Sequence, residues 1–202
     1  MMKDLQLPLS DDVARSLSAG DMVTVSGPLF TGRSLFHIRA IERNLLPPID
    51  FAAVNCFFHV GPVVRKVNPE VPNPNPKTDL PTDPETDPVP WEIVSIEPTS
   101  SIRFERYGAD VVEKLNLRTI IGKTVMGPRT AKALAKVGGV YLSKIGLCGN
   151  QLKKCVQKVE NVYYLEELGK TEATWVFHVE RFGPFFVGID AQGRNYFENL
   201  AE

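Results

Sequence analysis

A chain of 202 residues, 43% apolar and 23% charged, has the composition of a globular protein able to bury a sizeable core. Its net charge of −1 gives no global attraction for nucleic acid or an anionic membrane surface. No apolar run reaches the length of a membrane-spanning helix, and the opening Met1-Met2-Lys3-Asp4-Leu5 lacks a secretory signal core, so a soluble cytoplasmic protein is expected. The three cysteines, Cys56, Cys148 and Cys155, are too few and too odd in number for a disulfide framework. The seven-residue spacing of the last two suits one helix face better than a metal knuckle, so no metal site is expected from this chain alone.

Leu5 to Leu9 reads as a short strand, and Ser10-Asp11-Asp12 as a capped, acidic helix start. That helix should turn Val13 and Leu17 inward and stop at Gly20. Met22, Val23 and Val25 predict a strand to Ser26, broken by Gly27-Pro28. Thr31-Gly32-Arg33-Ser34 then stands at the mouth of a helix carrying Leu35, Ile38, Ile41 or Leu45, ending before Pro47-Pro48. Phe57 to Val60 and Val63 to Arg65 are strands on either side of Gly61-Pro62. His59 has no partner at metal-ligand spacing, and a metal role for it is not expected.

Residues 68–90 hold eight prolines among 23 residues, which neither a helix nor a central strand tolerates. They are expected to form a proline-rich insertion, partly extended or disordered, between strands Phe57–Lys66 and Trp91–Ile96 of one domain spanning residues 1–202. Helix is predicted for Tyr107–Leu115, strand for Leu117–Ile121, and helix from Pro128 to the Gly138-Gly139 stop. A short strand at Val140–Leu142, a helix from Cys148 to Val156 and a strand at Val162–Leu165 follow. Strands at Ala173–Glu180 and Phe185–Asp190, with a turn at Asp190–Arg194, end the reading. His178 alternates with apolar neighbours and should face solvent or sit satisfied on a sheet. Short interleaved strands and helices predict an α/β fold with mixed sheets.

Three stretches carry chemistry. Arg33 beside Gly32 at a helix start combines backbone N–H groups with a guanidinium fork, an arrangement suited to an anion; simple capping by Thr31 or Ser34 is the plainer alternative. Pro98-Thr99-Ser100-Ser101-Ile102-Arg103 places three hydroxyls near an arginine after a strand, and Gly122-Lys123 forms the exit turn of another. Three cations suit a substrate with two carboxylates. A hydroxyl is a poor base unless neighbouring cations stabilise its alkoxide. Nucleotide binding is not supported: no Gly-x-Gly-x-x-Gly follows a strand, and Gly122-Lys123-Thr124 lacks the upstream glycine of a phosphate loop.

The order Val25-Ser26-Gly27-Pro28-Leu29-Phe30-Thr31-Gly32-Arg33, His59-Val60-Gly61-Pro62-Val63-Val64, Pro98-Thr99-Ser100-Ser101-Ile102-Arg103 and Ile121-Gly122-Lys123 resembles the class I fumarate hydratase family. The resemblance is to the β subunit, or C-terminal domain, of these iron–sulfur hydro-lyases, which include L(+)-tartrate dehydratase. Glu172-Ala173-Thr174-Trp175 and Val179-Glu180-Arg181-Phe182 resemble further signatures of the family. It implies a swivelling β/β/α domain closing over a [4Fe–4S] cluster carried by an α subunit, in a hetero-oligomer acting on a small dicarboxylate. Fumarate/malate is the leading substrate reading. L(+)-tartrate, or a non-catalytic organic-anion-binding module, are the alternatives. Carried over, Thr99 would move the proton and Arg33, Arg103 and Lys123 would bind substrate, with His37, Ser100 and Ser101 as supports. The chain departs from the family pattern at Glu97, Ser34, Thr124 and Val125, and His37-Ile38-Arg39 stands for a His-Lys-Arg.

Overall fold

The computed structural model describes residues 2–67, 91–146 and 149–198. The proline-rich stretch 68–90 and Cys148 therefore lie outside the described residues. In chain order the elements are β1 (Lys3–Gln6), α1 (Asp11–Arg15), β2 (Met22–Gly32), α2 (Ser34–His37) running into a π turn (Ile38–Glu42), β3 (Cys56–His59), β4 (Val63–Lys66) and β5 (Trp91–Ser95). A 3-10 turn (Ser101–Phe104) leads into α3 (Glu105–Leu115). Then come β6 (Thr119–Gly122), α4 (Pro128–Val137), β7 (Val140–Lys144), α5 (Gly149–Lys153), β8 (Val156–Tyr163), α6 (Leu165–Glu172) and β9 (Thr174–Ile189).

Seven strands form one mixed sheet in the order β1-β2-β3-β6-β7-β9-β8, and β9 also pairs with β2. Strands β2, β3, β6 and β7 run parallel, and antiparallel β9 joins β7 back to β2, so the pairings close on themselves. A separate antiparallel pair is made by β4 and β5. The mixed-sheet α/β expectation holds.

Period-two alternation explains how one sheet serves two cores. Leu29, Phe58, Ile121, Leu142, Phe177 and Val187 point into one cluster, with Trp91, Ile93 and Trp175. Their neighbours Phe30, Phe57, Ile120, Tyr141 and Val176 point into a second, under α3 and α4. Being covered on both faces, these strands read as near-continuous apolar runs.

Several expectations need correction. Gly27-Pro28 does not end β2, which runs on to Gly32. The sheet absorbs the pair in a register shift opposite β9, with Gly27 at φ +123°. A Cβ there would lie 2.7 Å from the Leu7 carbonyl oxygen, so glycine is required by close backbone approach as well as by φ. In α1, Ser10 caps as expected, but Ala14 turns inward with Leu17 while Val13 stays exposed, and the helix ends at Arg15. The predicted helix from Cys148 is confined among the described residues to Gly149–Lys153, and Val156 already begins a strand. β9 is a single 16-residue strand rather than two. Helix α6 was not expected, because Gly169 breaks its eight residues and leaves no apolar period. Pro128 and Gly138 bound α4 as anticipated, Gly138 in the left-handed region at φ +70°.

Candidate functional site

The candidate residues gather at the carboxyl ends of the parallel strands β2, β3 and β6, the usual place for ligands in α/β sheets. Arg33 follows β2, whose last residue, Gly32, pairs with His59 at the end of β3. Lys123 follows β6. The hydroxyl stretch comes from beyond β5 and docks between them. Thr99 N–H donates to the His59 carbonyl (2.6 Å), Lys123 N–H to the Thr99 carbonyl (3.4 Å), and Ser101 N–H to the Lys123 carbonyl (3.0 Å). Ser100 thus bridges Lys123 like a strand residue, and its hydroxyl lies 2.9 Å from that of Thr124. Thr99, Ser100, Ser101 and Lys123 are brought together by backbone pairing, with His59 as the common neighbour that links them to Arg33.

Two glycines make the approach feasible. A Cβ on Gly122 would fall 1.8 Å from Ser101 Oγ. A Cβ on Gly61 would fall 2.4 Å from the Thr171 carbonyl oxygen and 2.7 Å from Arg33 Cδ. Arg33 therefore threads over Gly61 toward α6. Its Nη1 lies 3.8 Å from Glu172 Oε1, while Glu172 Oε2 accepts the Leu35 N–H at 3.0 Å. The anion expected at the start of this helix is thus met in part by the chain's own carboxylate. Neither Thr31 nor Ser34 caps α2: Thr31 is a buried strand residue whose Oγ1 accepts the Trp175 N–H at 3.0 Å.

The other two cations are less encumbered. Arg103, on the 3-10 turn, and Lys123 are both exposed, and neither has an ion pair among the described residues. Glu97, the acidic departure beside the hydroxyls, pairs with Lys144 on β7 and leaves Arg103 and Lys123 unneutralised. Thr99 is partly exposed, and its hydroxyl has no hydrogen-bond partner among the described residues.

Behind this edge lie His37, anticipated as a support, and three residues that the sequence did not single out for the site: His59, Tyr141 and Glu105. His37 is buried, stacked on Phe104 (4.7 Å between ring centroids) and Tyr107 (5.8 Å). Burial alone lowers its pKa to about 3, so the ring is neutral. His59 is fully buried, its pKa also pushed well down by desolvation and by His37; its Nδ1 lies 2.9 Å from Ser101 Oγ. The Tyr141 hydroxyl donates to the Lys123 carbonyl at 3.0 Å, and burial pushes the phenol up. Glu105, at the start of α3, accepts from the amides of Gly127, Arg129 and Thr130 and from the Thr130 hydroxyl, fixing the start of α4 to α3. A buried histidine at a strand end and a carboxylate at the first turn of α3 carry no local signal of these roles.

A family model, "Fumarase C-terminus", matches residues 2–200. The chain belongs to this family. The fumarase-type chain is 32% identical over 189 residues to a protein of Methanocaldococcus jannaschii named "Putative L(+)-tartrate dehydratase subunit beta", covering 92% of this chain and 86% of the relative. It is 30% identical to the "L(+)-tartrate dehydratase subunit beta" of Escherichia coli K12, covering 96% and 86%. It is also 33% identical to the "Putative fumarate hydratase class I" of Geobacillus stearothermophilus, covering 97% of this chain but only 34% of that longer protein. The resemblance read from the order of the motifs is thereby borne out.

Whether the fumarase-type chain could itself hold a cluster depends on its thiolates. Cys56 is buried in β3 with its thiol pushed far up by desolvation, and Cys155 is half-buried beyond α5. Among the described residues no group of three or more His, Cys, Asp or Glu side chains converges as a ligand set. These residues do not fit a [4Fe–4S] cluster, which needs several thiolates at one point.

Proposed function

We propose that this chain is the β subunit of an iron–sulfur hydro-lyase of the class I fumarate hydratase type, reversibly adding water to a small dicarboxylic acid. Fumarate/malate is the first reading of the substrate. The observation that carries it is the docking of Thr99–Ser101 against Lys123 across His59, beside Arg33 and with Arg103 exposed one turn on. In this reading the [4Fe–4S] cluster belongs to an α subunit and supplies a Lewis acid for the substrate hydroxyl. This chain's part is the other half. Arg33, Arg103 and Lys123 take the two carboxylates, the arginines through bidentate forks. Thr99 Oγ1 exchanges the proton at the carbon beside a carboxylate, its alkoxide stabilised by the nearby cations. His37, Ser100 and Ser101 support that arrangement.

The same proposal includes a swivelling β/β/α domain that closes over the α subunit, with residues 68–90 as an insertion in it. The free thiol of Cys56 fits a reducing compartment, and a cytoplasmic location belongs to the proposal. A second reading, an L(+)-tartrate dehydratase β subunit, is favoured by the two relatives of that name, of which this chain covers 86%.

The test is anaerobic co-expression with an α-type partner, followed by hydration and dehydration assays with fumarate, malate and L(+)-tartrate. Turnover of fumarate supports the first reading and turnover of tartrate alone the second. Turnover of none, with the cluster intact, would leave a non-catalytic anion-binding module.

A further inference from the structure

The His59 ring is fully buried, its Nδ1 is 2.9 Å from Ser101 Oγ, and its Nε2 has no hydrogen-bond partner among the described residues. Around the ring stand Phe57 (4.8 Å between centroids), Phe104 (4.9 Å) and His37 (5.3 Å), none offering an acceptor to Nε2. A neutral imidazole carries one N–H and one lone pair. A buried N–H without a partner is the rarer and costlier omission, so the proton belongs on Nδ1, where Ser101 Oγ accepts it.

On the far side of Ser101 the Tyr141 hydroxyl donates to the Lys123 carbonyl. The Ser101 N–H donates to the same carbonyl, and the Thr99 N–H donates to the His59 carbonyl. His59 therefore grips both ends of the hydroxyl stretch, one with its backbone and one with its ring. Gly122 admits Ser101 Oγ at a distance no Cβ would allow.

We propose that His59, as the Nδ1–H tautomer, is a positioning residue that locks Thr99 and Lys123 into one geometry through Ser101. The catalytic consequence rests on the hydro-lyase reading; the tautomer and the locking do not. An isolated strand-end turn with two exposed cations would spread over many rotamers and backbone states. A chain of hydrogen bonds anchored on a fully buried ring fixes it before substrate arrives.

The test has two arms. In the full-length chain, long-range 15N NMR of the imidazole should find His59 protonated at Nδ1 and not at Nε2, unchanged between about pH 5.5 and 8.5. An Nε2–H tautomer, or a ring that titrates in that window, overturns the proposal whatever the enzyme does. The second arm compares His59→Asn, which keeps an N–H donor near Nδ1, with His59→Gln, which moves it toward Nε2. In the reconstituted two-subunit enzyme, Asn should retain kcat within about threefold, while Gln and Ser101→Ala lose about tenfold or more, the worth of one buried hydrogen bond. In the same variants the Lys123 and Ser101 amide resonances should hold for Asn and move for Gln. Equal losses for Asn and Gln would reduce His59 to a packing residue. If no variant or parent turns over any di-acid but the tautomer and amide shifts behave as stated, the hydro-lyase reading fails and the positioning role stands.

Discussion

Glu172 reaches Arg33 from the last turn of α6: one carboxylate oxygen lies 3.8 Å from the guanidinium and the other accepts the Leu35 N–H at 3.0 Å. One side chain thus caps α2 and holds the arginine that follows β2. Glu172→Ala should cost about 1 kcal/mol, as loss of a helix-capping acceptor does, and Glu172→Gln less than half of that, because its amide oxygen can still accept. Urea unfolding of the two variants checks the order; equal costs would show that the cap is not what the carboxylate contributes.

Arg103 is exposed and free of ion pairs among the described residues, so its removal leaves no buried charge behind. With the reconstituted enzyme, Arg103→Ala should raise the di-acid KM by about tenfold to a hundredfold, the range for a hydrogen bond to a charged group, with thermal stability unchanged. Unaltered substrate dependence would remove Arg103 from the proposed carboxylate clamp.

Gly122 is required for a reason that lies 21 residues away in sequence, where Ser101 Oγ occupies the space of its missing Cβ at 1.8 Å. Gly122→Ala should destabilise by about 1–3 kcal/mol through overpacking. Ser101→Ala in the same background should recover part of that loss in denaturant unfolding, since it removes the clashing atom. Purely additive losses would place the strain elsewhere.

Buried His37 and His59 tie stability to pH. Both have folded-state pKa values lowered by desolvation, His37 to about 3. The unfolded chain takes up protons below its ordinary histidine value, and the folded chain does not. Stability is therefore full well above pH 6.5 and falls on acidification through that value, by about 2 kcal/mol between pH 7 and 5 for His37, with His59 acting in the same direction. His37→Phe, which suits the surrounding Phe36, Phe57, Phe104 and Tyr107 rings, should roughly halve that slope. An unchanged slope in urea titrations at several pH values would mean that the ring is protonated in the folded state.

Cys56 should resist alkylation until the chain opens, because burial disfavours the reactive thiolate. Half-buried Cys155 should be modified before Cys56. Peptide mass spectrometry after timed iodoacetamide treatment reads both rates, and early labelling of Cys56 would mean that β3 opens locally.

Much of the candidate site was legible in the chain. Arg33, Thr99–Ser101 and Lys123 each stand where an apolar run stops, and the structure indeed sets them at strand ends on one edge. Arg103 was legible through its place in the same stretch. The parts that support them were not. His59 looked like one more strand residue, because the serine that gives its ring a role is 42 residues away. Glu172 lies 137 residues from the amide it caps, on a helix too short and too broken by Gly169 to show a period. Gly27-Pro28 reads locally as a break, and only pairing with β9 along the length of β2 carries the strand through it.

The sequence by itself determined the family, the alternation that gives each strand two buried faces, and the cations and hydroxyls offered at strand ends. These are local patterns, set by the periods of strand and helix and by the backbone freedom of glycine and proline. Only the tertiary structure decided which charges stay available. It paired Glu97 with Lys144, 47 residues away, so that Arg103 and Lys123 face solvent unneutralised. It also buried two histidines as neutral rings. Both outcomes depend on which distant segments meet in the fold, Glu97 with β7 and the two histidines with Phe104 and Tyr107, and no local pattern encodes those meetings.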